Sequence, residues 1–221
     1  MTRIKICGIK TEEQAIAAAK AGADFIGLVF APSPRQVTPD IAGKIVAALK
    51  KRKASTETVG VFVNTPVGTV KRIADMCRLD WVQLSGDEFW TYCRELDRPI
   101  IKVIRLSRNN PPGQVSKDLD YGTKLLNGQK HIFLLDSNAR EKYGGIGLTF
   151  DWNLAQPIAR QFPVIIAGGL TPANVAQTIK TISPWGVDVS TGVETRGIKD
   201  TKKIRKVIEA VRKTDAGQDK G

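Results

Sequence analysis

Cys7 and Asp136 are the two residues of the chain whose types suit proton transfer on a sugar, and each closes a short apolar run: Ile4-Lys5-Ile6-Cys7 and Ile132-Phe133-Leu134-Leu135-Asp136. A thiol becomes a base when nearby positive charge lowers its pKa, and Lys5, Lys10 and Arg35 are the cations close to it in sequence. A carboxyl becomes an acid when partial burial raises its pKa. Each residue also has a plainer reading, as a small buried side chain and as a loop cap. The chain has one histidine, His131, at the start of its apolar run, so chemistry built on several imidazoles is disfavoured.

Two glycine-bearing segments offer an anion cradle. They are Ala167-Gly168-Gly169-Leu170-Thr171-Pro172 and Asp188-Val189-Ser190-Thr191-Gly192-Val193-Glu194. Glycines permit close backbone approach, and amides exposed at a helix start hold a phosphate without a lysine. A third segment, Gly144-Gly145-Ile146-Gly147, fails as a dinucleotide fingerprint because Phe150 stands where the last glycine belongs. It is expected to be a loop closing over the site and excluding water.

These residues need a frame that brings strand ends together. Apolar runs rich in β-branched residues predict strands at 3–7, 24–30, 58–63, 81–84, 100–105, 131–135, 164–167 and 187–190. Helical spacing predicts helices at 12–21, 39–50, 67–78, 88–96, 172–181 and 201–212, a short one near 114–119, and a sixth crossover within 149–159. Parallel strands joined by helices make an α/β fold, and eight such units match a closed (β/α)8 TIM barrel of one domain, residues 1–213. A doubly wound open sheet would give the same alternation. Residues 214–221 read as a disordered tail. In a barrel, reactive groups stand at the C-terminal ends of strands, which is where Cys7, Asp136 and both glycine loops fall, while His131 falls at the opposite, structural end.

Composition narrows the partners. The formal net charge is +12, which favours a negatively charged ligand. The basic runs at 50–53 and 202–206 carry no interleaved aromatics, so they read as solvated helix faces and nucleic acid is disfavoured. Three cysteines without a CxxC pair suggest free thiols, with neither disulfides nor a zinc site. A charged N-terminal segment and the lack of a long apolar run predict a cytoplasmic chain with no membrane contact. No metal and no cofactor is expected, and a monomer or a homodimer would serve.

Taken together, the segments resemble the phosphoribosylanthranilate isomerase family across roughly residues 3–212. The markers, in order, are Lys5-Ile6-Cys7-Gly8-Ile9, Gly27-Leu28-Val29-Phe30 with Ser33-Pro34-Arg35, Val59-Gly60-Val61-Phe62-Val63, Val82-Gln83-Leu84, Leu134-Leu135-Asp136, Gly144-Gly145-Ile146-Gly147 with Phe150-Asp151-Trp152, and the two glycine loops. The resemblance implies an Amadori rearrangement of a phosphorylated small molecule in tryptophan biosynthesis. It implies Asp136 as general acid and Cys7 as general base. It also implies that Arg35 pairs with the anthranilate carboxylate, while Gly168, Gly169, Asp188, Ser190 and Gly192 bind substrate, the amides holding its phosphate. Ser85, Ile146, Thr191 and Arg196 depart from the family's usual residues. Another phosphosugar isomerase or epimerase barrel, or a non-catalytic basic binding protein, are the competing readings. The last would show affinity falling steeply with salt and surviving Cys7→Ala.

Overall fold

A computed structural model describes residues 1–106, 111–137 and 152–218. The elements alternate: β1 (Arg3–Cys7), α1 (Glu12–Ala21), β2 (Phe25–Val29), α2 (Pro39–Lys51), β3 (Glu57–Phe62), α3 (Val67–Cys77), β4 (Trp81–Leu84), α4 (Trp90–Arg94), β5 (Ile100–Leu106), α5 (Pro112–Leu126), β6 (His131–Ser137), α6 (Trp152–Ala159), β7 (Val164–Ile166), α7 (Val175–Ile182), β8 (Gly186–Val189). A 3-10 turn (Thr191–Val193), the two-residue strands β9 (Glu194–Thr195) and β10 (Ile198–Lys199), and α8 (Thr201–Gln218) follow. Strands β1 to β8 pair in parallel and in order, and β8 returns to β1, closing the barrel and excluding the open sheet.

Strand alternation separates two apolar layers. Phe25, Val59, Trp81, Ile101, Val103, Ile132, Leu134, Ile165 and Ala167 form one cluster, which fills the barrel interior. Their strand neighbours, including Val82, Ile100, Phe133, Leu135 and Ile166, belong to a second cluster that meets the helices. At the C-terminal end, Cys7, Val29, Ala31 and Val61 make a small third layer that lines the mouth.

Local signals set the helix ends. Thr11 and Thr38 cap α1 and α2 by accepting from Gln14 N and Ile41 N, and Pro39 starts α2 where its missing N–H costs nothing. Where the sequence predicts a short helix near 114–119, α5 runs for 15 residues. Pro112 begins it, and Gly122, which reads as a breaker, lies where an added Cβ would come within 2.6 Å of Trp90. Its apolar stripe of Val115, Leu119 and Leu126 is buried.

Part of the expected tail, 214–218, is helix, and 219–221 lie outside the described residues. α8 continues through Gln218, so a domain boundary at 213 falls inside a helix. Thr214 and Asp215 are buried, and Asp215 accepts from Thr2 N at 2.9 Å and Thr2 Oγ1 at 2.7 Å. Arg212 adds a hydrogen bond to Thr2 O at 2.6 Å and an ion pair with Asp24 at 3.0 Å. Arg212 and Asp215 thus stitch the last helix to Thr2 and the start of β1. His131 opens β6 at the same end of the barrel, its Nδ1 2.8 Å from Gln129 O.

Candidate active site

The site is built from the C-terminal strand ends. Alternation from Lys5 places Cys7 on the interior face of β1, and alternation from Ile132 and Leu134 places Asp136 on the interior face of β6. The two strands are three steps apart around the ring, β1-β8-β7-β6, so these two side chains stand at the C-terminal end of the barrel on one mouth. Asp136 is half-buried.

The thiol sits among apolar and charged groups at once. Cys7 is 9% exposed against Val29, Ala31 and Val61. Directly below, Lys5 is fully buried and its Nζ donates to Asp188 Oδ2 at 3.0 Å. Lys5 and Asp188 are register partners on β1 and β8, which explains how two charges meet inside the barrel. The facing residue of β2 is Gly27, and a Cβ there would lie 2.8 Å from Cys7 Sγ and 3.1 Å from Lys5 Nζ. Sulfur and ammonium therefore converge on the space that glycine leaves open.

Burial pushes the Cys7 thiol above its ordinary pKa, while Lys5 is the main influence pulling it down; Asp188 raises it and Lys199 lowers it. Burial also works against the Lys5 ammonium, yet Asp188 and Cys7 hold its pKa above the usual lysine value. The other Asp188 oxygen, Oδ1, is buried without a hydrogen-bond partner among the described residues.

Arg35, in the loop after β2, reaches the same mouth but is already engaged. Its Nε and Nη2 donate to Glu194 Oε1 and Oε2 at 2.6 and 2.8 Å. Lys199 donates to the same Oε1 at 2.6 Å and to Ser190 O at 3.0 Å. Ser190 Oγ in turn donates to Cys7 O at 3.2 Å. Loop β8 is thereby tied to both β1 and the β2 loop. Hydrogen bonding by Arg35 holds the Glu194 carboxyl down at about 2, with Lys199 adding to it against the effect of burial.

The two glycine loops meet backbone to backbone. An added Cβ at Gly192 would fall 1.8 Å from Leu170 O, a contact no side chain permits. Gly168 and Gly169 have φ values of 97° and 68°, left-handed backbone that favours glycine. Ser190, Gly192, Gly168 and Gly169 thus form one continuous rim between β7 and β8.

Cys7 meets Ser190 directly and Asp188 by way of Lys5, and Arg35 joins them through Glu194 and Lys199. The segment 144–147, including Ile146, and residues Phe150 and Asp151 lie outside the described residues. Glu194 and Lys199 are organising residues that the sequence does not single out: Glu194 closes the second glycine segment with no partner near it in sequence, and Lys199 is one lysine among many. Among the described residues no group of three or more His, Cys, Asp or Glu side chains is arranged to hold a metal, and no helix is long and apolar enough to cross a membrane.

Comparison with known proteins bears on this geometry. Residues 4–210 match the family model described as N-(5'phosphoribosyl)anthranilate (PRA) isomerase. An N-(5'-phosphoribosyl)anthranilate isomerase of Dehalococcoides mccartyi is 44% identical over 218 residues, covering 99% of each chain. One from a Roseiflexus species is 45% identical over 219 residues, covering 96% of this chain and 98% of its own. The crystal structure of phosphoribosyl anthranilate isomerase from Thermotoga maritima superposes with a TM-score of 0.82 at 34% identity, over 96% of this chain and all (100%) of that one. A phosphoribosyl anthranilate isomerase in complex with reduced 1-(o-carboxyphenylamino)-1-deoxyribulose 5-phosphate superposes at 0.80 with 32% identity, over 96% and 100% of the two chains.

Proposed function

Because the chain belongs to the N-(5'-phosphoribosyl)anthranilate isomerase family, we propose that Cys7 and Asp136 divide the acid–base work of that isomerisation between them. The activity is the rearrangement of N-(5'-phosphoribosyl)anthranilate to 1-(2-carboxyphenylamino)-1-deoxyribulose 5-phosphate, a step of tryptophan biosynthesis. The Asp136 carboxyl gives its proton to the furanose oxygen as the bond from that oxygen to C1 breaks. The nitrogen lone pair then closes the C1–N double bond, leaving an iminium. The Cys7 thiolate takes the proton from C2, and the electron pair of that bond flows towards nitrogen to give an enolamine. Loss of the C2 hydroxyl proton and protonation at C1 deliver the ketone. The iminium nitrogen is the electron sink for the C2 deprotonation.

The observation that carries this reading is that Cys7 ends β1 and Asp136 stands one residue before the end of β6, both on interior positions of one mouth, with a buried ammonium near the sulfur. The amides around Gly168, Gly169, Ser190 and Gly192 are proposed to hold the substrate phosphate, with Asp188 beside them at the end of β8. Arg35 is proposed to hold the anthranilate carboxylate with the donors that Glu194 leaves unused, both protons of Nη1 and one of Nη2. Fixing the two ends of the substrate places the ribose between thiol and carboxyl. All these residues belong to one chain, so a monomer or a homodimer would carry the reaction, and a cytoplasmic location is proposed.

Following the loss of anthranilate fluorescence with freshly generated substrate tests the assignment. Cys7→Ala and Asp136→Asn should each cut turnover by at least about 10²-fold with substrate binding largely intact. Full turnover in either variant removes that residue from the mechanism.

A further inference from the structure

We propose that Lys5 is a positioning residue for the Cys7 base: Asp188 anchors it beneath the mouth, Gly27 leaves the gap through which its ammonium meets the sulfur, and it stabilises the thiolate without touching substrate. The inference rests on Cys7 being the base and adds what makes that thiol usable.

Three observations carry it. First, Lys5 is enclosed entirely, so the only groups it serves are those packed around it. Second, its approach to the sulfur depends on the residue facing it from β2, since a Cβ at Gly27 would press on Sγ and Nζ together. Third, the layer below is apolar, with Phe25, Val59 and Trp81 among its members, and an apolar residue at position 5 would extend it. A buried ion pair costs desolvation that a well-packed hydrophobic replacement avoids, so a purely structural need is met more cheaply without the pair.

Charged groups from several elements face Cys7. Lys5 comes from β1, Asp188 from β8, Arg35 from the β2 loop, Glu194 from β9, Lys199 from β10 and Asp136 from β6 across the mouth. Arg35 and Lys199 are both bound to Glu194, which absorbs much of their positive charge. Lys5 is likewise paired with Asp188, but its Nζ and the Cys7 sulfur border the same space beside Gly27, and it lowers the thiol pKa more than any other group, as required of the group that offsets burial.

The test reads Cys7 itself as well as turnover. Alkylation of Cys7 by iodoacetamide is followed against pH in the substrate-free enzyme by peptide mass analysis, alongside the pH profile of kcat. Lys5→Met should move the alkylation midpoint and the acid limb of kcat upward together by at least about one pH unit. Near neutral pH kcat should fall by about 10-fold or more, with KM within about 3-fold and turnover recovering at alkaline pH. Gly27→Ala keeps both charges and blocks their approach, so it should shift the same midpoint in the same direction even if Lys5→Met fails to fold. An unchanged midpoint in a folded Lys5→Met, or a loss of turnover equal at every pH, would overturn the proposal. Full turnover in Cys7→Ala would instead end the base assignment, while a shifted midpoint would still establish the pairing of ammonium and sulfur.

Discussion

Arg35 and Glu194 face each other with two parallel hydrogen bonds, Nε to Oε1 at 2.6 Å and Nη2 to Oε2 at 2.8 Å. A bidentate pair fixes the plane of the guanidinium as well as its position. The edge that remains is turned to a defined direction before any ligand arrives. In the proposed carboxylate clamp, Glu194 would therefore orient the guanidinium that binds, although it would itself repel a carboxylate.

Removing the guanidinium should act on binding. Arg35→Ala is expected to raise KM by about 10-fold or more while kcat changes far less, as for a contact made equally in ground and transition states. Steady-state kinetics decide it, and a change confined to kcat would count against the clamp.

The same pair predicts a pH dependence of stability. The Glu194 carboxyl is held at about 2, below its ordinary 4.5, chiefly by Arg35. A depressed folded-state value contributes stability above the ordinary pKa that is lost as pH falls through the folded one. Thermal melts of the protein and of Glu194→Gln should accordingly differ most above pH 4.5, and the gap should close as pH falls towards about 2.

Gly192→Ala should damage the anion rim while leaving the thiol in place. The added methyl would displace the carbonyl of Leu170, separating the β7 and β8 loops. The expected outcome is weaker competitive inhibition by inorganic phosphate and a raised KM, with the alkylation profile of Cys7 unaltered. Unchanged phosphate inhibition would move the anion site elsewhere.

Asp215→Ala tests the stitch between α8 and β1. It leaves the N–H and hydroxyl of buried Thr2 without their partner, a loss of about 1–3 kcal/mol. Urea unfolding should show the decrease, with turnover at 25 °C preserved because Asp215 stands at the end of the barrel away from the mouth.

Much of the frame was legible because interior and exterior positions alternate along parallel strands and the interval between strands is filled by amphipathic helices. Cys7, Asp136 and the glycine loops could be placed at one end from strand order alone. What escaped had physical reasons. Gly122 and Pro112 look like breakers in isolation, but Gly122 is the space Trp90 needs and Pro112 is a helix start. Thr214-Asp215 looks like the start of a disordered tail, and only the fold supplies Thr2 as the partner of Asp215. Likewise Glu194 and Lys199 gain their roles from Arg35 and Ser190, which no spacing along the chain connects.

Because Thr2 and Asp215 are bonded to each other at the barrel's base, the approach to β1 and the last turns of α8 lie side by side, at the end opposite Cys7. A short linker from this part of α8 to Thr2, with the chain reopened at a surface turn, would preserve the strand pairings of β1 to β8, making this barrel a ready scaffold for circular permutation.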